Sequence, residues 1–403
     1  MFAYGTLKNI FKVIYAPQKA FKEIIQNPKY IGPILIMILF VAAYTGGAYF
    51  AQSKLYEEQT LPIARLQGDE WTENSTQVHW ESNAIIVESD DSVSGNKSIE
   101  EFAVFNFYGN KSIDFSVLND KQLWMQLNFT EPVNCSDPEG YKKIAFWAKL
   151  IHLNITNISK ASLYLFSSQI DYFYYNLTRQ FISFNDTTWN KLAIAIGPRS
   201  EWANSSANTN WGNIISLRFE VASTENSNMT VRLDGLFFKG IFKSLLESVS
   251  FDYMFSLSLF AFMQFVIQWV FLAGLIYIMA KAFGSKTLWR PLLILIGFAL
   301  VTMFMQALIN VAAYGTLPTI YRPLEFFSVI EQERLTPRIK FSEDTWLVSQ
   351  ITGYTPMAIL IWTIALCAIA TRLPTEFSWS KSFLIATVAY FVTMMAQSFL
   401  LGF

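Results

Sequence analysis

Hydrophobic positions in this chain follow two different periods. Five uninterrupted apolar runs occupy Ile31 to Phe50, Met254 to Ala280, Pro291 to Ala313, Leu347 to Ala370 and Phe383 to Phe403. About 20 apolar residues suffice to cross a bilayer, and none of the five runs carries an acid or base inside it. They predict five transmembrane helices. Between residues 83 and 238 the period changes to two, in stretches such as NAIIVESD, KQLWMQLNF, KKIAFWAKL, ASLYLFSS and MTVRLDGLFF, separated by clusters of Gly, Pro, Asn and Ser. Short alternating segments with polar connections predict an antiparallel β-sandwich. The fold class is thus a membrane α-helical bundle with an all-β sandwich inserted between helices one and two. The expected divisions are 1–51, 52–240 and 241–403.

Charge orients the bundle. Residues 1–30 and the linkers after spans two and four together hold ten bases against two acids, a balance of +8, whereas residues 52–238 hold fourteen bases and twenty-two acids, a balance of −8. Lys and Arg collect on the cytoplasmic side. The expected arrangement is an N-terminus inside, with the sandwich and the C-terminus outside. Residues 314–344, on the outer side, carry four bases and five acids. The first span is expected to stay as an anchor, because thirty lysine-bearing residues precede it and a cleaved signal has a shorter apolar core.

The pentapeptide Gly-Asn-Lys-Ser-Ile occurs twice, from Gly95 and from Gly109. Each copy puts glycine at a chain reversal, and the two are expected to bracket one strand, Ile99–Tyr108. Each also contains an acceptor pattern for N-linked sugar. Eleven such sequons stand at Asn74, Asn96, Asn110, Asn128, Asn134, Asn154, Asn157, Asn176, Asn185, Asn204 and Asn228, all between residues 74 and 230. Their confinement predicts a glycosylated domain facing the exterior.

Ahead of the first span, Leu7, Ile10, Phe11 and Ile14 share one helical face with Lys8 and Lys12 beside it. That pattern suits either a helix in the inner membrane interface or one packed on the bundle. Pro17, Ala20, Phe21, Ile24, Pro28 and Pro33 then form a proline-punctuated helix, Pro17 opening it and Pro28 closing it. This helix, followed by five spans, resembles the prokaryotic form of the Yip (Ypt/Rab-interacting protein) membrane-domain family, over residues 1–51 and about 240–403. Eukaryotic members bind Rab-type GTPases, but their acidic, glycine-proline cytosolic motif is missing ahead of the first span here. Within the spans, Gln264 and Gln268, Gln306 and Asn310, and Gln397 are read as interhelical glue. Ala42, Ala43, Gly46 and Gly47 form small-xxx-small pairs for close contact within the bundle or between protomers.

Gly95 opening a strand, Trp189-Asn190-Lys191-Leu192 beginning a late one and Asp234-Gly235-Leu236-Phe237-Phe238 closing the domain resemble the galactose-binding-like jelly rolls, which include many carbohydrate-binding modules. The resemblance implies sugar binding and a structural calcium, for which Glu88, Asp90, Asp91 and Asp234 are the candidate ligands. Trp202 and Trp211, at either end of the polar loop SEWANSSANTNWGN, are the candidate sugar or partner contacts.

No enzyme is expected. His79 and His152 have no zinc spacing, and neither a phosphate loop nor a nucleophile elbow is present. Cys135 falls in the outer segment and Cys367 inside the fourth span, so they are not expected to pair. The main expectation is a non-enzymatic membrane scaffold, archaeal in origin, displaying an envelope-facing domain that binds a glycan or a surface-layer protein. The alternative is an accessory to a transporter or permease whose outer domain captures solute. The bilayer is the obligatory partner, homo-oligomers are compatible, and nucleic acid is not expected.

Overall fold

A computed structural model describes the chain except for residues 1, 65–67, 74–79, 96–105, 152–157, 185–187, 249–250 and 403. It divides into two compact units. One comprises residues 1–55, 244–320 and 342–403, and the other residues 56–243 and 321–341.

The first unit is helical. Helix Phe2–Tyr15 is followed by Pro17–Gln26, with proline in its first turn as the sequence requires. Among the described residues, five helices are long and apolar enough to cross a membrane: Ile31–Ser53, Phe251–Ala282, Trp289–Gly315, Glu331–Thr375 and Trp379–Leu401. The third is interrupted at Leu300 (φ −71°, ψ 4°), which ends one helix and caps the next. The fourth runs 45 residues, about 67 Å at 1.5 Å per residue, whereas the hydrocarbon core needs about 30 Å.

Spans one and three pack closely, each presenting a glycine to a ring of the other. A Cβ at Gly32 would fall 1.9 Å from the Phe298 ring, and one at Gly297 would meet Pro33 at 2.6 Å. Gly47 faces Val311 and Tyr314, while Gly46 has nothing within 4 Å. Only half of the small-residue stripe is thus used inside the bundle. Hydroxyls share the gluing role expected of amides. Thr45 and Ser258 meet at 3.0 Å between spans one and two, and Thr302 and Thr363 at 2.7 Å between spans three and four. Gln397 Nε2 donates to the Gln264 carbonyl at 3.2 Å, joining span five to span two.

The second unit contains strands β1 (Leu55–Leu61), β2 (Trp80–Ser82), β3 (Ile85–Ser89), β4 (Ser112–Val133), β5 (Lys143–Ile151), β6 (Ile158–Phe166), β7 (Tyr172–Asn176), β8 (Asn190–Ala195), β9 (Ala203–Asn204), β10 (Ile214–Ser244) and β11 (Ile320–Arg322). Two of them are unusually long. β4 and β10 pair antiparallel from Ile214–Val133 to Leu233–Ile113, with register shifts between Ala222 and Met229. Opposite that irregularity Asn119 takes φ 51°. One half of the pair lies between β2 and β6, in the order β2, β4, β10, β6, β7, β9. The other half lies between β3 and β5, in the order β3, β4, β10, β5, β8. Because β4 and β10 run through both layers, hydrogen bonding links the strands into one continuous sheet.

The layers face each other. Leu123, Met125, Leu163, Phe219 and Val221 of the first and Phe115, Phe146, Leu150, Val231 and Leu233 of the second belong to one buried cluster. Phe146 meets Phe219 edge-on at 4.9 Å between ring centroids. This is the sandwich that the period-two pattern predicts.

The repeated pentapeptide is corrected in part. Gly95 and Gly109 both take positive φ, 66° and 68°, as turn glycines should. The bracketed strand is not found at its described end. Phe107 and Tyr108 lie in a turn, buried with Phe237, Leu324 and Val329, and residues 96–105 are outside the described residues. The two copies meet instead through Ser94, whose hydroxyl donates to the Gly109 carbonyl.

The second unit also claims residues 321–341, which the division at 52–240 leaves out. Glu325 accepts from Lys191 at 2.9 Å and from Lys239. Glu333 accepts from Lys191 and, at 2.8 Å, from the Tyr108 hydroxyl. Arg322 donates to Glu57, and the Leu324 amide donates to Glu58 at 2.8 Å. Three of the nine charges in 314–344, Arg322, Glu325 and Glu333, are thus paired within the β unit.

Candidate functional site

The first layer has a buried face and an outer face, and the outer one carries the aromatic residues. Along β4 the side chains of Leu123, Met125 and Leu127 go to the core, which turns Trp124, Gln126 and Asn128 outward. Along β6, Leu163 and Leu165 are buried and Tyr164 and Phe166 face out. On β7, Phe173 is buried while Tyr172 and Tyr174 face out. All of these outward side chains are half-buried by one another.

Strand register sets them in rows. Glu81, Gln126, Arg218, Tyr164 and Tyr174 are successive partners across β2, β4, β10, β6 and β7. Four strand spacings make this row roughly 19 Å long. A second row runs Asn128, Ser216, Phe166, Tyr172, and a third holds Trp124, Glu220 and Ser162. Tyr164 lies 5.3 Å from Tyr174 and 5.5 Å from Tyr172, and Phe166 lies 5.5 Å from Tyr172.

Polar groups are threaded between these rings in fixed positions. Arg218 spreads over Trp124 and Phe166, at 4.9 and 5.3 Å, and its Nε donates to Gln126 Oε1 at 2.9 Å. Gln126 Nε2 donates to Asn128 Oδ1 at 2.7 Å, and Asn128 Nδ2 to Glu81 Oε1 at 2.9 Å. Lys160 donates to the Tyr164 hydroxyl at 2.9 Å and lies 3.5 Å from Glu220. The Tyr164 bond, helped by Glu220, holds its ammonium above the ordinary lysine range. Flat apolar rings interleaved with held donors and acceptors suit a ligand that is apolar on its faces and hydroxylated at its edges.

The two indoles that the sequence offers as ligand contacts, Trp202 and Trp211, lie away from this face. Trp202 is 8% exposed in the sandwich core and donates its Nε1–H to the Ala195 carbonyl at 2.7 Å. Trp211 stacks on Phe173 at 3.8 Å, with the Trp202 ring edge-on at 5.9 Å. Both indoles have their faces occupied by the protein. The loop position suggested exposure, but tertiary packing draws both rings inward.

The four calcium candidates do not converge either. Glu88 pairs with Lys111 at 3.0 Å, Asp91 with Lys149 and Arg232, and Asp90 is exposed. Among the described residues no group of three or more His, Cys, Asp or Glu could hold a metal ion. Asp234 meets a residue that the sequence did not single out. Thr72 Oγ1 donates to Asp69 Oδ2 at 2.7 Å and lies 3.4 Å from Asp234 Oδ1. Both carboxyls are fully buried, and burial drives both upward, Asp69 to about 7. Backbone amides of Trp71 and Leu236 bond Asp69, and that of Val93 bonds Asp234. Together they fasten the 69–73 turn to β10 at Asp234–Leu236.

Of the sequon asparagines, Asn110, Asn134, Asn176, Asn204 and Asn228 are exposed and Asn128 sits half-buried on the aromatic face. Asn74, Asn96, Asn154, Asn157 and Asn185, like His79 and His152, lie outside the described residues.

Residues 222–401 match the family model of the Yip1 domain. This part of the chain is similar to the Yip1 domain. The Yip1 match takes in spans two to five and begins inside β10, while the helices and span of residues 1–51 lie outside it. The protein is a multi-pass membrane protein with a β-sandwich inserted ahead of the Yip1 match. No curated protein matches the chain. Solved structures that align with it include a family 11 carbohydrate-binding module from Clostridium thermocellum, in complex with a β-1,3-1,4-mixed-linked tetrasaccharide. It has 14% identity, covers 45% of this chain and 94% of its own, and gives a TM-score of 0.28. TmCBM61, in complex with β-1,4-galactotriose, aligns at 13% identity over 42% of this chain and 90% of its own, TM-score 0.19. An enzymatically active domain of bacteriophage CBA120 tailspike protein 4 aligns at 16% identity over 43% of this chain and 22% of its own, TM-score 0.24.

Proposed function

We propose that this protein is a non-enzymatic membrane scaffold whose β unit, outside the cell, binds an oligosaccharide on the outer face of its first layer. One observation carries the reading: Trp124 on β4, Tyr164 and Phe166 on β6, and Tyr172 and Tyr174 on β7 occupy solvent-phase positions of one layer, with Gln126, Arg218, Glu220 and Lys160 held between them. Five aromatic rings on a wet face give up burial that core positions would supply, which favours a ligand. A sugar offers these rings its C–H faces and offers the polar side chains its hydroxyls. The row length favours a chain of sugars over a single one.

The exterior placement is supported by the charge balance and by the sequon cluster. The N-terminus and the spans' linkers of positive balance are assigned to the cytoplasm on the same grounds. The purified full-length protein, screened against a glycan array, should retain a set of oligosaccharides that lose binding in Tyr164→Ala. Retention unchanged in that variant would remove this face as the site. A protein of the envelope could use the same aromatic and arginine anchors. Free oligosaccharide competing with captured ligand separates the two.

A further inference from the structure

We propose that helix Phe2–Tyr15 is a membrane-inserting element that lays Leu7, Phe11 and Tyr15 into the acyl boundary of an anionic leaflet. The sequence groups Leu7, Ile10, Phe11 and Ile14 on one side, but the structure separates two faces. Ile10 and Val13 are 3% and 0% exposed, packed into the cluster that includes Phe21 and Ile36. Leu7, Phe11 and Tyr15 are 39%, 61% and 74% exposed. Spaced i, i+4, i+8, these three form one continuous ridge along the helix.

The ridge continues a surface already committed to lipid. The helix packs against span one, whose own Ile31, Ile34 and Ile38 are exposed. In a chain with five membrane-length helices such side chains face acyl chains.

Charge selects the occupant. Lys8 borders the ridge, and Lys19 and Lys22 are exposed on the next helix. Glu23 is the single acid in residues 1–30 and is bound by Lys12, whose hydrogen bond lowers its pKa. The unneutralised charge beside the ridge is therefore positive. A second copy would bring matching lysines together and be repelled. Anionic headgroups attract them, and the lysine stems can reach upward from a helix lying flat.

Spin labels on Leu7→Cys, Phe11→Cys, Tyr15→Cys and Lys22→Cys test this in the full chain reconstituted into phosphatidylserine-containing vesicles. The native thiols Cys135 and Cys367 are buried, and wild type treated with the same spin label should carry no signal. At positions 7, 11 and 15, collisions with oxygen should exceed those with a water-soluble nickel complex several-fold, and the order should reverse at position 22. In vesicles of neutral lipid the nickel complex should gain access at position 11. Nickel access at 7, 11 and 15 in the anionic vesicles would put the ridge in water and overturn the proposal. Exclusion of both reagents would mean that protein covers it, which overturns it too. Identical profiles in the two lipids would overturn the anionic preference.

Discussion

Lys191 on β8 reaches Glu325 Oε1 at 2.9 Å, joining residues 134 positions apart in the chain. The same carboxylate takes the ammonium of Lys239, which is 7% exposed. Burial alone would raise the Glu325 carboxyl, but Lys239 and Lys191 overcome it and hold it down to about 2. A depressed carboxylate stabilises the fold above its unfolded value of 4.5, and that contribution is lost as pH falls through about 2. Glu325→Gln should therefore destabilise the β unit by about 3 kcal/mol at neutral pH, and the loss should shrink in acid. Denaturant unfolding of the purified protein at pH 7 and pH 3 measures both. An equal loss at the two pH values would mean that packing, not charge, is at stake.

The Asp69 and Asp234 pair runs the other way. A carboxyl raised to about 7 is protonated in the folded state, so its stabilisation is complete below the unfolded value of 3.8 and is lost as pH rises through 7. Two buried carboxyls around one threonine hydroxyl share this behaviour. With chelator present, the melting temperature of the β unit should be higher at pH 5.5 than at pH 8.5. A flat profile would show that one of the two stays charged at no cost.

Trp124→Ala and Tyr164→Ala should leave the melting temperature nearly unchanged and weaken oligosaccharide binding by more than about 1 kcal/mol each. Trp202→Ala should do the reverse, costing about 3 kcal/mol of stability, as large-to-small changes in a core do. Should Trp202→Ala instead spare the fold and abolish binding, the loop would return as the recognition surface.

Glycan occupancy is expected to follow exposure. Asn176→Gln and Asn228→Gln should each lower the apparent mass by one increment in the native host. Asn128→Gln should not, because that amide is engaged by Gln126 and Glu81. A glycan found at Asn128 would cover the aromatic face and count against sugar binding there.

Orientation can be read with an impermeant thiol reagent. Ser94 is 5% exposed and unsuited to labelling, whereas Glu225 and Lys286 are exposed. Glu225→Cys should react on intact cells and Lys286→Cys only after permeabilisation. Reaction of Lys286→Cys on intact cells would invert the assignment.

The spans were legible because a bilayer demands long uncharged runs, and nothing competes with that signal. The break at Leu300 was not, since leucine is an ordinary helix residue and its cap geometry comes from packing. The polar start of the 45-residue helix and the docking of 321–341 onto β8 and β10 were hidden as well. Their pairings are non-local, and a charged segment reads alike whether solvated or paired. For the site, the sequence held the signal in plain form. Trp124, Tyr164, Phe166, Tyr172 and Tyr174 stand in the wet phase of period-two strands. Aromatic residues are also common strand formers, so only knowing which phase is buried distinguishes them from filler. Trp202 and Trp211 drew attention because they flank a polar loop, but loop membership does not decide where an indole packs.

Insertion of the sandwich between spans one and two has one more consequence. A receptor domain at the end of a chain can be shed by one proteolytic cut in its stalk, and can sweep a hemisphere around it. Here the segment from Tyr56 to Lys243 leads into a membrane-length helix at each end. Release of that segment takes two cuts, and a single nick leaves it on the cell. On the proposed reading, a bound glycan would thus be held to the membrane through two chain connections rather than one.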